Sequence, residues 1–187
     1  MVKLVDIVKI RAGYSFREGL SKSISGDLPV VQFKDIEQAS VDDLSMCVRI
    51  SSEKIKPSHF LQFKDILLSN RGNYKSAVFD VKQPCIASGV FFVMTVKNKK
   101  FLPEYIVAFL NSSGGQNALM TRQNSAGVQA IIRTELEQID IPLVPISKQK
   151  KIVELVSLFQ KEEDIIEKIQ QNKKKLVDFI LRKELKE

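Results

Sequence analysis

The stretch SKQKKIVELVSLFQKEEDIIEKIQQNKKKLVDFILRKELKE, Ser147 to Glu187, contains no glycine and no proline. It follows two prolines, Pro142 and Pro145. Forty residues without a helix breaker predict one long α-helix, with Ser147 as its N-cap. Its apolar residues recur every seven. Ile152, Phe159, Ile166 and Ile180 share one position, with Lys173 completing the series. Leu155, Ile169 and Leu176 share the partner position, which Glu162 and Lys183 fill elsewhere. A strict seven-residue period keeps a stripe in register along the helix, the signature of coiled-coil pairing. Such a helix would be about 60 Å long. A 145-residue domain is only about 30 Å across, so the helix should project beyond it and need a partner helix to cover the stripe. The alternative is two shorter helices folded back on the core, breaking near Gln170–Lys173.

Working outward, residues 1–145 hold all eight glycines and all six prolines. LPVVQFKDI (28–36), MCVRIS (46–51), DILLSNRG (65–72), KSAVFD (75–80), IASGVFFVMTV (86–96) and IDIPLV (139–144) read as strands, rich in Val, Ile and Phe. Pro103 opens a helix that Gly114-Gly115 interrupts. Thr134 to Glu137 has capping-box spacing, predicting a short helix there. Few regular βαβ units are visible. The expected class is α+β, with a curled, mainly antiparallel sheet over residues 1–145 and one helix over 146–187.

The 187 residues carry a net charge of +7, which favours a polyanionic partner. No apolar run approaches the about 20 residues that span a bilayer, and Asp6, Lys9 and Arg11 interrupt any leader pattern. Cys47 and Cys85 form no CxxC motif, and His59 is the single histidine, so a Cys/His zinc site is excluded. These features imply a cytoplasmic protein with buried thiols. There is no GxGxxG, no GxxxxGK[ST] and no Pro-Pro pair, so neither a nucleotide cradle nor the usual amino-methyltransferase motif is present.

Three glycine-containing segments carry side chains suited to DNA. RAGYSFR (11–17) offers Tyr14, Ser15 and Arg17 beside Arg11; SNRGNYK (69–75) offers Asn70, Arg71, Asn73, Tyr74 and Lys75; TRQNSAGVQ (121–129) offers Arg122, Gln123, Asn124, Ser125 and Gln129. Arginine pairs with guanine and the amides with adenine, while Lys, Ser and Tyr reach phosphates. Two other readings stand beside this one. Asp65 with Asp80-Val-Lys82 matches the two acids and a lysine of a Mg²⁺-dependent nuclease. Alternatively, the chain is a coiled-coil interaction protein with no DNA role.

GVQAIIRTELEQIDIPLVPISKQKKIVELV (127–156) is more specific. Gly127, Gln129, Ile132, Leu136, Ile139, Ile141, Pro142, Pro145, Gln149 and Ile152 match the segment that closes a target-recognition domain in specificity subunits of type I restriction–modification enzymes. LVDIVKIRAGYSF (4–16) looks like that family's opening, and LPVVQFKDI and DILLSNRG like its next strands. Val144 stands where proline is usual, and Ser147-Lys148 where Ala-Glu is common. The resemblance implies a non-catalytic subunit that binds double-stranded DNA and recruits modification subunits. S-adenosylmethionine would bind those subunits, and ATP and Mg²⁺ a restriction subunit; this chain would hold no cofactor. The family's usual subunit has two recognition domains and two helices paired antiparallel. This chain resembles half of one, so a homodimer through Ile152, Leu155, Phe159, Ile166, Ile169, Leu176 and Ile180 is expected.

Overall fold

The computed structural model describes residues 1–16, 26–36, 39–53, 55–72, 74–122 and 130–185. In chain order the elements are β1 (Val2–Lys3), α1 (Leu4–Ile7), β2 (Val8–Ala12), β3 (Leu28–Val31), β4 (Ser40–Val41), β5 (Val48–Ile50), β6 (Ile66–Ser69), β7 (Ser76–Phe79), β8 (Ile86–Ala87), β9 (Phe91–Val96), α2 (Pro103–Asn111), α3 (Ser113–Met120), α4 (Arg133–Glu137), β10 (Asp140–Ile141) and α5 (Ile146–Glu184). Short 3-10 turns occupy Phe33–Asp35 and Pro57–His59. The class is α+β and the sheets are mainly antiparallel, with parallel contacts between β3 and β8 and between β4 and β7. Where the sequence suggested one curled sheet, the strands form a five-stranded sheet (β2-β9-β6-β7-β4), a three-stranded sheet (β5-β3-β8) and a β1-β10 ribbon.

The continuous apolar runs in β6, β7 and β9 follow from burial on both faces. Side chains alternate across a strand. Ile66, Leu68, Val78, Phe92 and Met94 point to one core, shared with Ile106 and Leu110 of α2, Leu119 of α3 and Leu136 of α4. Leu67, Ala77, Phe79, Phe91 and Val93 point the other way, onto Val31 of β3, Leu61, Cys85 and Ala87. A sheet clamped between helices and a second sheet needs no polar face.

Local starts differ from the sequence expectation by a residue or two. α5 begins at Ile146, not after Ser147. Pro145, with φ −54°, sits at the cap, and its carbonyl accepts the Lys148 and Gln149 N–H groups at 2.9 and 3.0 Å. α4 begins at Arg133, and its cap, Ile132, makes no side-chain bond. An Arg133–Glu137 pair at 2.7 Å spans that helix in place of a capping box at Thr134. The break between α2 and α3 falls at Ser112, whose hydroxyl accepts the Gly115 N–H at 3.2 Å, so the glycine pair lies in the first turn of α3.

α5 runs unbroken through Gln170–Lys173. Its first turns lie on the domain: Ile152 and Val153 pack against the helix-side core. Beyond residue 160 nearly every position is exposed.

Candidate nucleic-acid interface

Two of the sequence-predicted segments, and the described flank of the third, meet at one end of β6 and β9. The Asn70 N–H donates to the Val90 carbonyl at 2.9 Å, and Asn70 Nδ2 to the Gly89 carbonyl at 3.2 Å. The Gly13 and Tyr14 N–H groups donate to the carbonyls of Phe91 (2.9 Å) and Ala87 (2.7 Å). The Ile131 N–H donates to the Asn70 carbonyl at 3.2 Å, and Arg71 bridges to Ala130. The segments around residues 14, 70 and 130 are thus knotted to the turn at Ser88–Val90. Gly13 makes that approach possible, because a Cβ there would stand 2.1 Å from the Ser88 carbonyl oxygen. Gly72, at φ +63°, supplies the left-handed residue that turns the chain beyond Arg71.

The fates of the predicted side chains differ. Arg71, Lys75 and Ser15 are exposed on this end. The Lys75 ammonium lies 6.0 Å from the ring of the partly exposed Phe33. Arg122 is about one-third exposed and faces Glu135 at 3.6 Å. Such a surface pair is worth about 1 kcal/mol or less, so it is readily exchanged for a phosphate. Tyr14 is half-buried, edge-on to Phe16 (4.9 Å) and His59 (5.1 Å). Two readings need correction. Tyr74 is 1% exposed and belongs to the helix-side core, so its ring is not on the surface. Asn70 spends Nδ2 on Gly89, and its Oδ1 is buried with no partner among the described residues. Asn70 therefore ties the loops together and does not present its amide to an adenine. Arg17, Asn73, Gln123, Asn124, Ser125 and Gln129 lie outside the described residues.

Arg11, which the sequence places beside this loop, points inward. Its guanidinium donates to the carbonyls of His59 (3.3 Å) and Phe60 (2.9 Å) and to Asp65 (3.2 Å). Asp65 is buried, and also accepts the Gln62 N–H at 3.0 Å and the Thr95 hydroxyl at 2.6 Å. Both of its oxygens are engaged in holding the fold. Asp80 is paired with Lys64 at 2.9 Å, and Lys82 lies 5.7 Å from the Phe63 ring. This arrangement gives no support to the nuclease reading of Asp65, Asp80 and Lys82. Among the described residues no group of three or more His, Cys, Asp or Glu is placed to hold a metal ion. Burial pushes the Cys47 and Cys85 thiols up to about 12. Among the described residues no helix is long and apolar enough to cross a membrane.

The second exposed feature is the flank of α5. Gln149 is fully buried beneath the first turns of the helix. It accepts the Leu102 N–H (2.9 Å) and donates to the carbonyls of Lys100 (2.7 Å) and Val144 (2.8 Å). The sequence marked this glutamine by position only; its role depends on backbone groups 47 and 49 residues away. Gln149, Ile152, Val153, Val156 and Gln160 share the docked face. Leu155, Phe159, Ile166, Ile169, Leu176 and Ile180 are each about half exposed. At 3.6 residues per turn their stripe lies about 130° around the helix from the docked face. Ile152, expected in that stripe, belongs instead with the domain.

The family model of the type I restriction modification DNA specificity domain matches residues 1–174. No curated protein matches the chain. Among solved structures, the chain resembles a protein from a study of complex assembly and conformational transition of the type I R-M system (TM-score 0.65, 19% identity, 91% of this chain and 40% of that one). It also resembles the HsdS subunit of Thermoanaerobacter tengcongensis (TM-score 0.63, 20% identity, 90% and 39%) and the type I restriction-modification S subunit of M. genitalium (TM-score 0.58, 14% identity, 92% and 42%). At these identities the likeness is one of fold, and the chain spans about 40% of the length of those proteins. By the match over residues 1–174, the chain belongs to the family of the type I restriction modification DNA specificity domain.

Proposed function

We propose that this chain reads DNA sequence for a type I restriction–modification methyltransferase and carries out no chemistry itself. The observation that carries this reading is the knot at Asn70, which gathers loops bearing Arg71, Lys75 and Ser15 at one end of a rigid sheet. Arginine on a fixed scaffold reads guanine, and lysine and serine fix the register on phosphates. The surplus of seven positive charges draws the duplex in. Modification subunits, recruited in the cytoplasm, bind S-adenosylmethionine and transfer the methyl group. Where a restriction subunit joins, it brings ATP and Mg²⁺ chemistry. The exposed stripe of α5 pairs antiparallel with the helix of a second copy, giving one recognition domain at each end of a helical spacer.

Fluorescence anisotropy on a duplex carrying the target tests the reading. Arg71→Ala and Arg122→Ala should each cost about 1–3 kcal/mol if they meet bases, and Lys75→Ala should lower the salt slope by about one. Unchanged binding in all three variants removes this end of the sheet from the interface. Binding of S-adenosylmethionine by the pure chain overturns the non-catalytic assignment.

A further inference from the structure

The α5 stripe is not wholly apolar. Three of its seam positions are charged, Glu162 and Lys173 within the free length of the helix and Lys183 near its end, and all three are exposed. We propose that a second copy of this chain covers the stripe in the single antiparallel register that sets Glu162 against Lys173 of the partner subunit. This rests on the paired-helix reading above and fixes which residues meet.

In an antiparallel pair the two heptad positions face each other. Placing Ile166 opposite Ile169 of the partner sets Phe159 against Leu176 and Leu155 against Ile180. The same register brings Glu162 to Lys173, twice by symmetry. The flanking positions agree, since Leu158 then lies beside Phe179 of the partner subunit. All of these apolar residues are about half exposed or more on the lone helix. Other arrangements leave the charges mismatched. A shift of one heptad in one direction sets Glu162 against Ile166 and Lys173 against Leu155. A shift the other way sets Glu162 against Ile180 and Lys173 against Ile169. A parallel pair sets Glu162 on Glu162 and Lys173 on Lys173. Each sets Glu162 and Lys173 against apolar residues or like charges inside the seam, which a seam resists far more than it rewards the correct pair. In the proposed register the remaining charge, Lys183, meets Ile152 at the seam's outer end, where the domain already covers that residue. The acidic run Glu162-Glu163-Asp164 and the basic run Lys173-Lys174-Lys175 add the same preference over a wider face. Glu162 and Lys173 thus select partner, orientation and register together, and place the two-fold axis between Glu167 and Lys168.

Sedimentation equilibrium of the full chain without DNA tests this. Wild type should be a dimer at micromolar concentration. Glu162→Lys or Lys173→Glu alone should weaken dimerisation at least about tenfold, because each creates two like-charge contacts. The two changes combined should restore it to within about threefold of wild type. A second measurement uses mild oxidation. Glu162→Cys with Lys173→Cys should give a disulfide-linked dimer, whereas Glu162→Cys alone should not. A monomeric wild type, single reversals without effect, no recovery in the double reversal, or cross-linking by Glu162→Cys alone each overturns the register. Because DNA is absent, these outcomes are separate from the recognition reading: a correctly locked dimer that binds no DNA would overturn that reading and leave the register standing.

Discussion

Gln149→Ala isolates the joint between the recognition domain and its helix. The side chain is fully buried and makes three hydrogen bonds, to Leu102 N–H at 2.9 Å and to the carbonyls of Lys100 and Val144 at 2.7 and 2.8 Å. Truncation leaves one donor and two acceptors without that partner in a site closed to water. At about 1 kcal/mol for each bond, the loss is about 3 kcal/mol, of the order of a third of a typical domain's stability. Most of it should fall on the docking of α5, since Leu102 caps α2 and Val144 leads into α5. Urea unfolding followed by circular dichroism at 222 nm measures it. Gln160→Ala, on the same helix but half-buried at the edge of the contact, is the control and should cost under about 1 kcal/mol. Gln149→Glu keeps the acceptor for Leu102 but turns an oxygen toward two carbonyls. It should cost at least as much as alanine at neutral pH. A Gln149→Ala loss no larger than that of Gln160→Ala would refute the argument that this residue fixes the helix to the domain.

Three further outcomes are expected. Asp65→Ala strips Arg11, Thr95 and the Gln62 N–H of their shared acceptor and should lower stability by about 3 kcal/mol in the same unfolding assay; unchanged stability would contradict the structural role given to Asp65. Cys47 and Cys85 are held protonated up to about 12 in the fold, against 9.0 when free, so the unfolded chain loses their protons first. Their contribution to stability should be intact below pH 9 and decline between about pH 9 and 12, and a Cys47→Ala/Cys85→Ala variant should show a flatter stability profile there. With the axis between Glu167 and Lys168 and docking centred near Val153, the two domains sit about 40 Å apart along the spacer. Target selection from random duplexes should then return inverted half-sites about 12 base pairs apart centre to centre, and directly repeated half-sites would contradict the two-fold arrangement.

Much of the architecture was legible because it depends on local periods. The absence of glycine and proline after Pro145 and the seven-residue recurrence dictate α5, since helix propagation and one-sided burial are properties of neighbouring turns. The Val-, Ile- and Phe-rich runs mark strands, but 86–96 divides at Ser88–Val90 into β8 and β9 of different sheets and 28–36 is a strand only to Val31. What required the tertiary structure is the assignment of faces and partners. Nothing near Arg11 in sequence says that its guanidinium is taken by Phe60 and Asp65, 49 and 54 residues away. Nothing near Tyr74 distinguishes a loop tyrosine on the surface from one closed under α2 and α3. Asn70 reads locally as a turn residue or an adenine reader, and only the approach of Gly89 and Ile131 makes it a tie between loops. Ile152 carries the same heptad position as Phe159, yet the domain covers one and leaves the other bare. The physical reason is common to all four. A side chain's chemistry and period are written at its own position, whereas its burial and its hydrogen-bond partner are set by segments that arrive only when the chain closes on itself.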